Sequence, residues 1–460
     1  MTAHAEHIVG YYPSWAIYAR NYLVTDIPAE HLTHINYAFA NIVNGEIALG
    51  DSYADIDRFY PGDCWDPGCE RGNFHQLRIL KHQHPQLKTL ISVGGWTWSE
   101  NFSDAAATPA ARELFANSCA EFIMEHGFDG VDLDWEYPVF GGDWDVEHRP
   151  EDGANLTLLC NRIRTKLDSL EALNGRPYLL TLATSAGGEH IDDLELPQLS
   201  NAVDFFNVMT YDFQGAWSAF TGFNAPLYAD PDDPFAEPEH STFNLHAAMQ
   251  HYVADGVPRD KLNAGLAFYG KGFGNVNDAN NGLYQSFSGP SPNGTWEPGV
   301  FDYWQLAQSY VNQNGYSRFF HPVSRVPYLH NPAANIFISY DDTASVREKC
   351  EYILTENLGG AMFWELAADR DGELLTTVHN AFENANQLAA PQALTVTRIG
   401  DSLSFRWQAV SGAVQYTLWS SAFADAAPED YSLELSTNAT AATVLLPDGA
   451  ARVFFIRAEP

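Results

Sequence analysis

The chain has 460 residues, more than one ordinary domain, and 45% of them are hydrophobic, which is enough for a large core and too many for global disorder. Its 24 basic residues stand against 59 acidic ones. The net charge of −35 repels nucleic acid and anionic membranes, and suits a neutral substrate. No apolar run is long enough for a transmembrane helix.

At the N-terminus Met1-Thr2-Ala3-His4 leads straight into structure without a leader segment, so either the protein is cytoplasmic or its leader has been removed. Strand-like runs then alternate with helix-like ones. Strands are predicted at residues 7–15, 31–40, 87–95, 130–137, 178–185, 203–211, 262–269 and 359–366, with helical patterns such as 109–126, 156–170 and 343–357 between them. Alternation of this kind predicts a parallel sheet, and eight strands predict an α/β fold closed as a (β/α)8 TIM barrel. In the Pro/Gly loop after the second strand, Cys64 and Cys69 are close enough in sequence to pair in an exported protein. A zinc site is less favoured there, because no second pair of ligands sits at a suitable spacing. Cys119, Cys160 and Cys350 fall on helical patterns and read as buried thiols.

The fourth strand carries Phe128-Asp129-Gly130-Val131-Asp132-Leu133-Asp134-Trp135-Glu136-Tyr137-Pro138, an Asp-x-x-Asp-x-Asp-x-Glu pattern. Side chains alternate along a strand, so Asp132, Asp134 and Glu136 are expected on one face, stacked towards the carboxyl end. Three carboxylates so close titrate together, with at least one proton affinity raised, and a general acid needs that near neutral pH. A solvated acidic face and a hard-cation site are the competing readings, although one strand supplies too few ligands for a cation by itself.

Other strand ends also carry chemistry: Ser92-Val93-Gly94-Gly95-Trp96 on the third, Met209-Thr210-Tyr211-Asp212 on the sixth, Phe268-Tyr269-Gly270-Lys271 on the seventh and Met362-Phe363-Trp364-Glu365 on the eighth. Catalytic groups of such barrels gather at the carboxyl ends of strands. About ninety residues separate strands seven and eight, far more than a crossover needs. Residues 272–338, with a helix-like 303–313, are expected to form a small α+β insertion walling a cleft, because Trp296, Trp304, Phe319 and Phe320 call for burial. The barrel with its insertion is expected to span residues 1–386, followed by a linker at 387–392. Short alternating runs over 393–460 predict an antiparallel β-sandwich, with strands at 393–397, 402–407, 415–419, 431–436, 442–446 and 452–457. There Phe405-Arg406-Trp407-Gln408-Ala409-Val410-Ser411-Gly412-Ala413-Val414-Gln415-Tyr416-Thr417-Leu418 resembles a fibronectin type III module, read here as a spacer or weak surface contact.

Residues 6–386 resemble a family 18 glycoside hydrolase, a chitinase of the bacterial type with the α+β insertion, on the Asp129-to-Glu136 motif, Ser92-Val93-Gly94-Gly95, Met209-Thr210-Tyr211-Asp212 and the order of the strands. The residues themselves supply a proton donor but no separate nucleophilic carboxylate, and substrate-assisted enzymes are the exception that needs none. The resemblance implies that route, with Glu136 as general acid and base, Asp134 stabilising the substrate's acetamido group, Asp132 tuning Asp134 by sharing a proton, Tyr211 holding the acetamido oxygen and Asp212 binding the distorted sugar. It further implies Trp364 as the floor of the pocket, Trp96 and Trp217 on the leaving-group side, Tyr11 below the acetamido group and Met209 among the lining residues. Ser92 and Asp129 would buttress the acids and the strand, and Lys271 takes a place where related enzymes often carry Arg. The implied protein is a secreted monomer acting on chitin and chitooligosaccharides, with no metal or cofactor. Two alternatives stay open: a non-catalytic chitin-binding lectin on the same barrel, and an endo-N-acetylglucosaminidase acting on the chitobiose core of glycoproteins.

Overall fold

The computed structural model describes residues 7–386, 393–399, 402–409, 415–421, 432–445 and 453–459. Eight parallel strands, β1 (His7–Pro13), β2 (His34–Val43), β3 (Lys88–Gly94), β4 (Gly130–Asp134), β5 (Leu179–Ser185), β6 (Phe205–Met209), β7 (Leu262–Ala267) and β8 (Gly360–Trp364), pair in chain order, and β8 pairs back to β1. The barrel is closed, as the alternating pattern predicts. Its strands read as continuous apolar runs because both faces are covered, one by the barrel interior and one by helices.

The helices start and stop where their ends can be satisfied. Pro109–His126 opens on Thr108, whose hydroxyl accepts the Ala111 N–H at 3.1 Å, and closes on Gly127 in the left-handed region at φ 78°. It buries Phe115, Cys119, Phe122 and Ile123. The expected helix at 156–170 is longer, Asp152–Asn174, and ends on Gly175 at φ 70°. Cys64 and Cys69 are joined by a disulfide, and Cys119, Cys160 and Cys350 are free and buried. None of the described helices is long and apolar enough to cross a membrane.

Between β7 and β8 lies a five-stranded antiparallel sheet, in the order Val300–Asp302, Tyr269–Phe273, Ile336–Ser339, Val326–Asn331 and Ser317–His321, with a helix at Tyr303–Ser309. Its first strand begins three residues earlier than the sequence suggests. Regular barrel pairing stops at Ala267. Phe268 then gives its N–H to the Trp364 carbonyl at 2.9 Å and accepts the Tyr303 N–H at 3.0 Å, so the chain leaves the barrel at that residue. Phe273, Val276, Leu283, Val326, Tyr328 and Phe337 fill the core of this insertion, together with Phe223 from the segment after β6.

A second compact unit begins at Asn380. Its described strands form two three-stranded antiparallel sheets: Thr395–Ile399, Ser402–Arg406 and Ala441–Leu445 in one, Ser432–Thr437, Gln415–Ser421 and Val453–Glu459 in the other. Phe405, Trp407 and Val444 of one sheet meet Tyr416 and Leu418 of the other, with Trp407 and Tyr416 ring centroids 5.3 Å apart. The linker expected at 387–392 lies outside the described residues.

Candidate active site

The site grows from the register of three strands. Ser92 on β3, Asp132 on β4 and Thr181 on β5 are lateral neighbours in the sheet, and their side chains meet inside the barrel. Asp132 has no solvent exposure. Its Oδ1 accepts from Thr181 at 2.5 Å and Asn207 at 3.5 Å, and its Oδ2 from Ser92 at 2.7 Å and Tyr11 at 2.8 Å. Burial raises the proton affinity of this carboxyl on balance, and the four donors offset part of the rise. Tyr11, only 2% exposed, touches Asp132 and has its own ionisation pushed up, chiefly by burial.

Asp134 sits one pleat further on and has the opposite surroundings. It is buried, and its Oδ1 has no hydrogen-bond partner among the described residues. Burial first, then the charges of Glu136 and Asp132, drive its proton affinity well above the usual carboxylate range. The two buried aspartates thus differ in kind: Asp132 is surrounded by donors, Asp134 by other acids.

Glu136 is not on the strand. Regular pairing of β4 stops at Asp134, which corrects the expectation of three acids stacked along one strand face. The neighbouring strand β3 ends at Gly94 in the left-handed region (φ 100°), where a Cβ would stand 2.4 Å from the Asp134 carbonyl oxygen. The Gly95 N–H still reaches the Asp134 carbonyl at 2.8 Å, and Ser99 continues from there. Its Oγ donates to the Asp134 carbonyl at 3.2 Å and accepts the Glu136 N–H at 2.8 Å. Glu136 emerges half-buried at the mouth of the barrel, with its pKa pushed up to about 7 by burial, offset in part by a hydrogen bond from Tyr137 and reinforced by the charge of Asp212.

From β6 come Met209, half-buried against the cluster of Val9, Tyr11, Phe39, Ala183 and Met362, and then Tyr211 and Asp212. Burial and the charges of Asp134, Asp212 and Glu136 push the Tyr211 phenol up, so it stays neutral and can donate a hydrogen bond. Asp212 is exposed to the cleft. Its Oδ1 accepts from Tyr269 at 2.6 Å and faces Lys271 Nζ at 3.1 Å, both groups of the insertion's first strand. Lys271 also lies over the rings of Trp217 and Tyr269, at 5.3 and 5.2 Å.

The aromatic residues divide into two kinds. Trp364 is half-buried in a stack with Phe39 (5.7 Å, 13°), Trp15 (6.2 Å) and Tyr11 (5.8 Å), a rigid apolar surface beside the acids. Trp96 and Trp217 present their rings to solvent, 50% and 63% exposed. Asp129 is apart from all of these: at the entry of β4 it binds Lys81 at 2.8 Å, the Thr89 N–H at 2.9 Å and Arg176 at 3.3 Å, and so anchors the start of the strand.

Thr181, Asn207, Ser99 and Asn224 adjoin the acids and were not singled out from the sequence, and Tyr269, quoted there as a strand end, was given no role. A usable signal existed for Thr181, since aligning the fourth and fifth strands brings it beside Asp132. Among the described residues, Asp192, His251 and Asp255 have metal-ligand spacing; they lie near the surface and outside this acid cluster.

The Glycosyl hydrolases family 18 model matches residues 7–369. A chitinase A1 of Niallia circulans is 47% identical over 399 residues, covering 80% of this chain and 57% of the relative, so the chain spans a little over half of that protein's length. An endochitinase 1 of Metarhizium robertsii is 38% identical over 371 residues, covering 79% of this chain and 81% of its own. Among solved structures, chitinase ChiA74 from Bacillus thuringiensis superposes with a TM-score of 0.78 at 36% identity, over 99% of this chain and 82% of that one.

Proposed function

The chain belongs to the glycosyl hydrolases of family 18, and from that premise we propose that it is a chitinase, cleaving β-1,4 linkages between N-acetylglucosamine units of chitin and chitooligosaccharides with retention of configuration. Glu136, protonated up to about neutral pH, donates its proton to the glycosidic oxygen. The carbonyl oxygen of the substrate's own 2-acetamido group attacks the anomeric carbon, the leaving sugar departs, and an oxazolinium ion forms. Asp134 accepts the acetamido N–H and faces the positive charge that develops there, while Tyr211 donates to the acetamido oxygen. Glu136, now ionised, takes a proton from the incoming water, whose oxygen opens the ring from the same face the leaving group occupied.

One observation carries this reading: Asp134 is a buried carboxyl whose Oδ1 has no partner among the described residues, between a donor-rich Asp132 and the acid Glu136. A lone buried acceptor is costly unless something binds it, and an acetamido N–H has the right chemistry. Trp364 would floor the pocket and Asp212 bind the distorted sugar, with Trp96 and Trp217 stacking on the leaving-group side. The Cys64–Cys69 disulfide favours an exported protein, and the C-terminal sheets serve as a spacer whose removal spares cleavage of soluble oligomers. Glu136→Gln tests the assignment. It should slow hydrolysis of a soluble chitin oligomer by on the order of a thousandfold; a variant within tenfold of the parent would remove Glu136 from its role.

A further inference from the structure

We propose that Asn224 is a positioning residue that aims Asp212 at Glu136 and makes that aim depend on the insertion sheet. The inference deepens the reading above and rests on it. Asp212 sits at φ 58°, in the left-handed region that side chains other than glycine adopt sparingly, and its turn is held from outside. Asn224, 1% exposed, supplies the hold. Its Oδ1 accepts the Asp212 N–H at 3.1 Å and its backbone carbonyl accepts the next N–H, that of Phe213, at 3.0 Å. One residue therefore takes two consecutive donors of the turn that presents Asp212.

Asn224 is in turn fastened to the insertion. Its N–H goes to Ser339 Oγ at 2.8 Å, and Ser339 pairs in register with Lys271. Lys271 and Tyr269 are the two groups that bind Asp212 Oδ1. The side chain of Asp212 is thus held by one insertion strand, and its backbone, through Asn224, by the strand next to it. A second tether follows directly: the Ala225 carbonyl accepts from Lys349 Nζ at 2.6 Å, and buried Lys349 is paired with Asp341 two residues past Ser339. The Asn224 side chain also faces the Tyr269 hydroxyl, one of the two groups that bind Asp212 Oδ1. The consequence reaches the chemistry because the charge of Asp212 raises the proton affinity of Glu136, against the hydrogen bond from Tyr137, which lowers it; Asp134 faces the same carboxyl.

The experiment compares Asn224→Ala, Asn224→Asp and Ser339→Ala in the whole chain, by steady-state kinetics across pH on a soluble chitin oligomer and by the crystal structure of the first variant. Asn224→Ala should lower kcat roughly tenfold to a hundredfold, as misplacement of a site group does. It should also move the alkaline limb of kcat/KM to lower pH, because withdrawing a negative charge lowers the proton affinity of Glu136. Asn224→Asp keeps an acceptor at the same place and should restore most of the rate; Ser339→Ala should shift the limb in the same direction and less. A rate loss with the limb unmoved, matched by Asn224→Asp, means a merely structural role and overturns the proposal. If the parent protein cuts no oligomer, the reading of function fails, and the crystal structure still decides the positioning role. Asp212 displaced from its left-handed conformation supports that role, and Asp212 unmoved overturns it.

Discussion

Thr181 Oγ1 lies 2.5 Å from Asp132 Oδ1, the shortest of four hydrogen bonds that converge on a carboxylate with no solvent contact. Under the proposed mechanism the four donors favour charge on Asp132, and the bare Oδ1 of Asp134 favours a proton there until positive charge appears at the substrate. Removing a donor raises the proton affinity of Asp132 and leaves the proton there already in the resting site, so the hand-over from Asp134 no longer accompanies bond breaking. Thr181→Val should therefore lower kcat by roughly tenfold, the worth of one hydrogen bond to a charged group. KM should barely change, because Thr181 touches Asp132 and not the sugar. Thr181→Ser, which keeps the hydroxyl, should recover the rate. Steady-state kinetics on a soluble oligomer decide it.

The pH profile should have its alkaline limb at about 7. Glu136 acts as an acid only while protonated, and burial together with the charge of Asp212 lifts its pKa to about 7. Rates hold below that point and fall above it. Asp212→Asn removes a neighbouring negative charge and should bring the limb to lower pH. A limb that stays in place in that variant would mean the two carboxyls do not feel each other.

Stability should carry the same signature with its sign fixed. Glu136 titrates near 4.5 in an unfolded chain and near 7 in the fold, so between those values the folded state binds more protons and stability falls as pH rises. Each tenfold of proton affinity is worth about 1.4 kcal/mol, so the acid costs the fold on the order of 3 kcal/mol above pH 7. Glu136→Gln is relieved of that cost. Its Tm should exceed that of the parent at pH 8, and the gain should vanish below pH 4.5; an equal offset at both pH values would contradict the burial of the charge.

The two kinds of tryptophan should separate in one experiment. Trp217, 63% exposed, contributes little to the fold, and Trp217→Ala should raise KM for longer oligomers roughly three- to tenfold with Tm unchanged. Trp364 is packed against Phe39, Trp15 and Tyr11, so Trp364→Ala should lose on the order of 3 kcal/mol of stability as well as activity. Thermal melts beside the kinetics distinguish the two.

The barrel was legible because its strands are short, apolar and evenly spaced between helical patterns, and the acids stood out because buried strands rarely carry them. What could not be read is what depends on contacts between distant segments. Glu136 looked like the next residue of a strand face, yet β4 ends two residues earlier, since only the glycine turn of β3 and the reach of Ser99 determine where pairing stops. Tyr269 read as the end of a barrel strand and instead begins the insertion sheet. Thr181, Asn207 and Asn224 are ordinary residues in the sequence, and their importance comes from register and from loops that fold back across more than forty positions.

The central claim is that the glycosidic bond is opened with retention, through the substrate's own acetamido group, and not by a directly attacking water. Proton NMR of the products of chitin-oligomer hydrolysis, recorded before the sugars mutarotate, tests it most directly. In this account the leaving sugar departs from, and water attacks, the same face of the anomeric carbon while the acetamido oxygen holds the opposite face, so the newly released reducing ends should appear first as the β-anomer. An initial burst of the α-anomer would mean direct displacement by water with inversion, and would contradict the roles given to Asp134 and Tyr211.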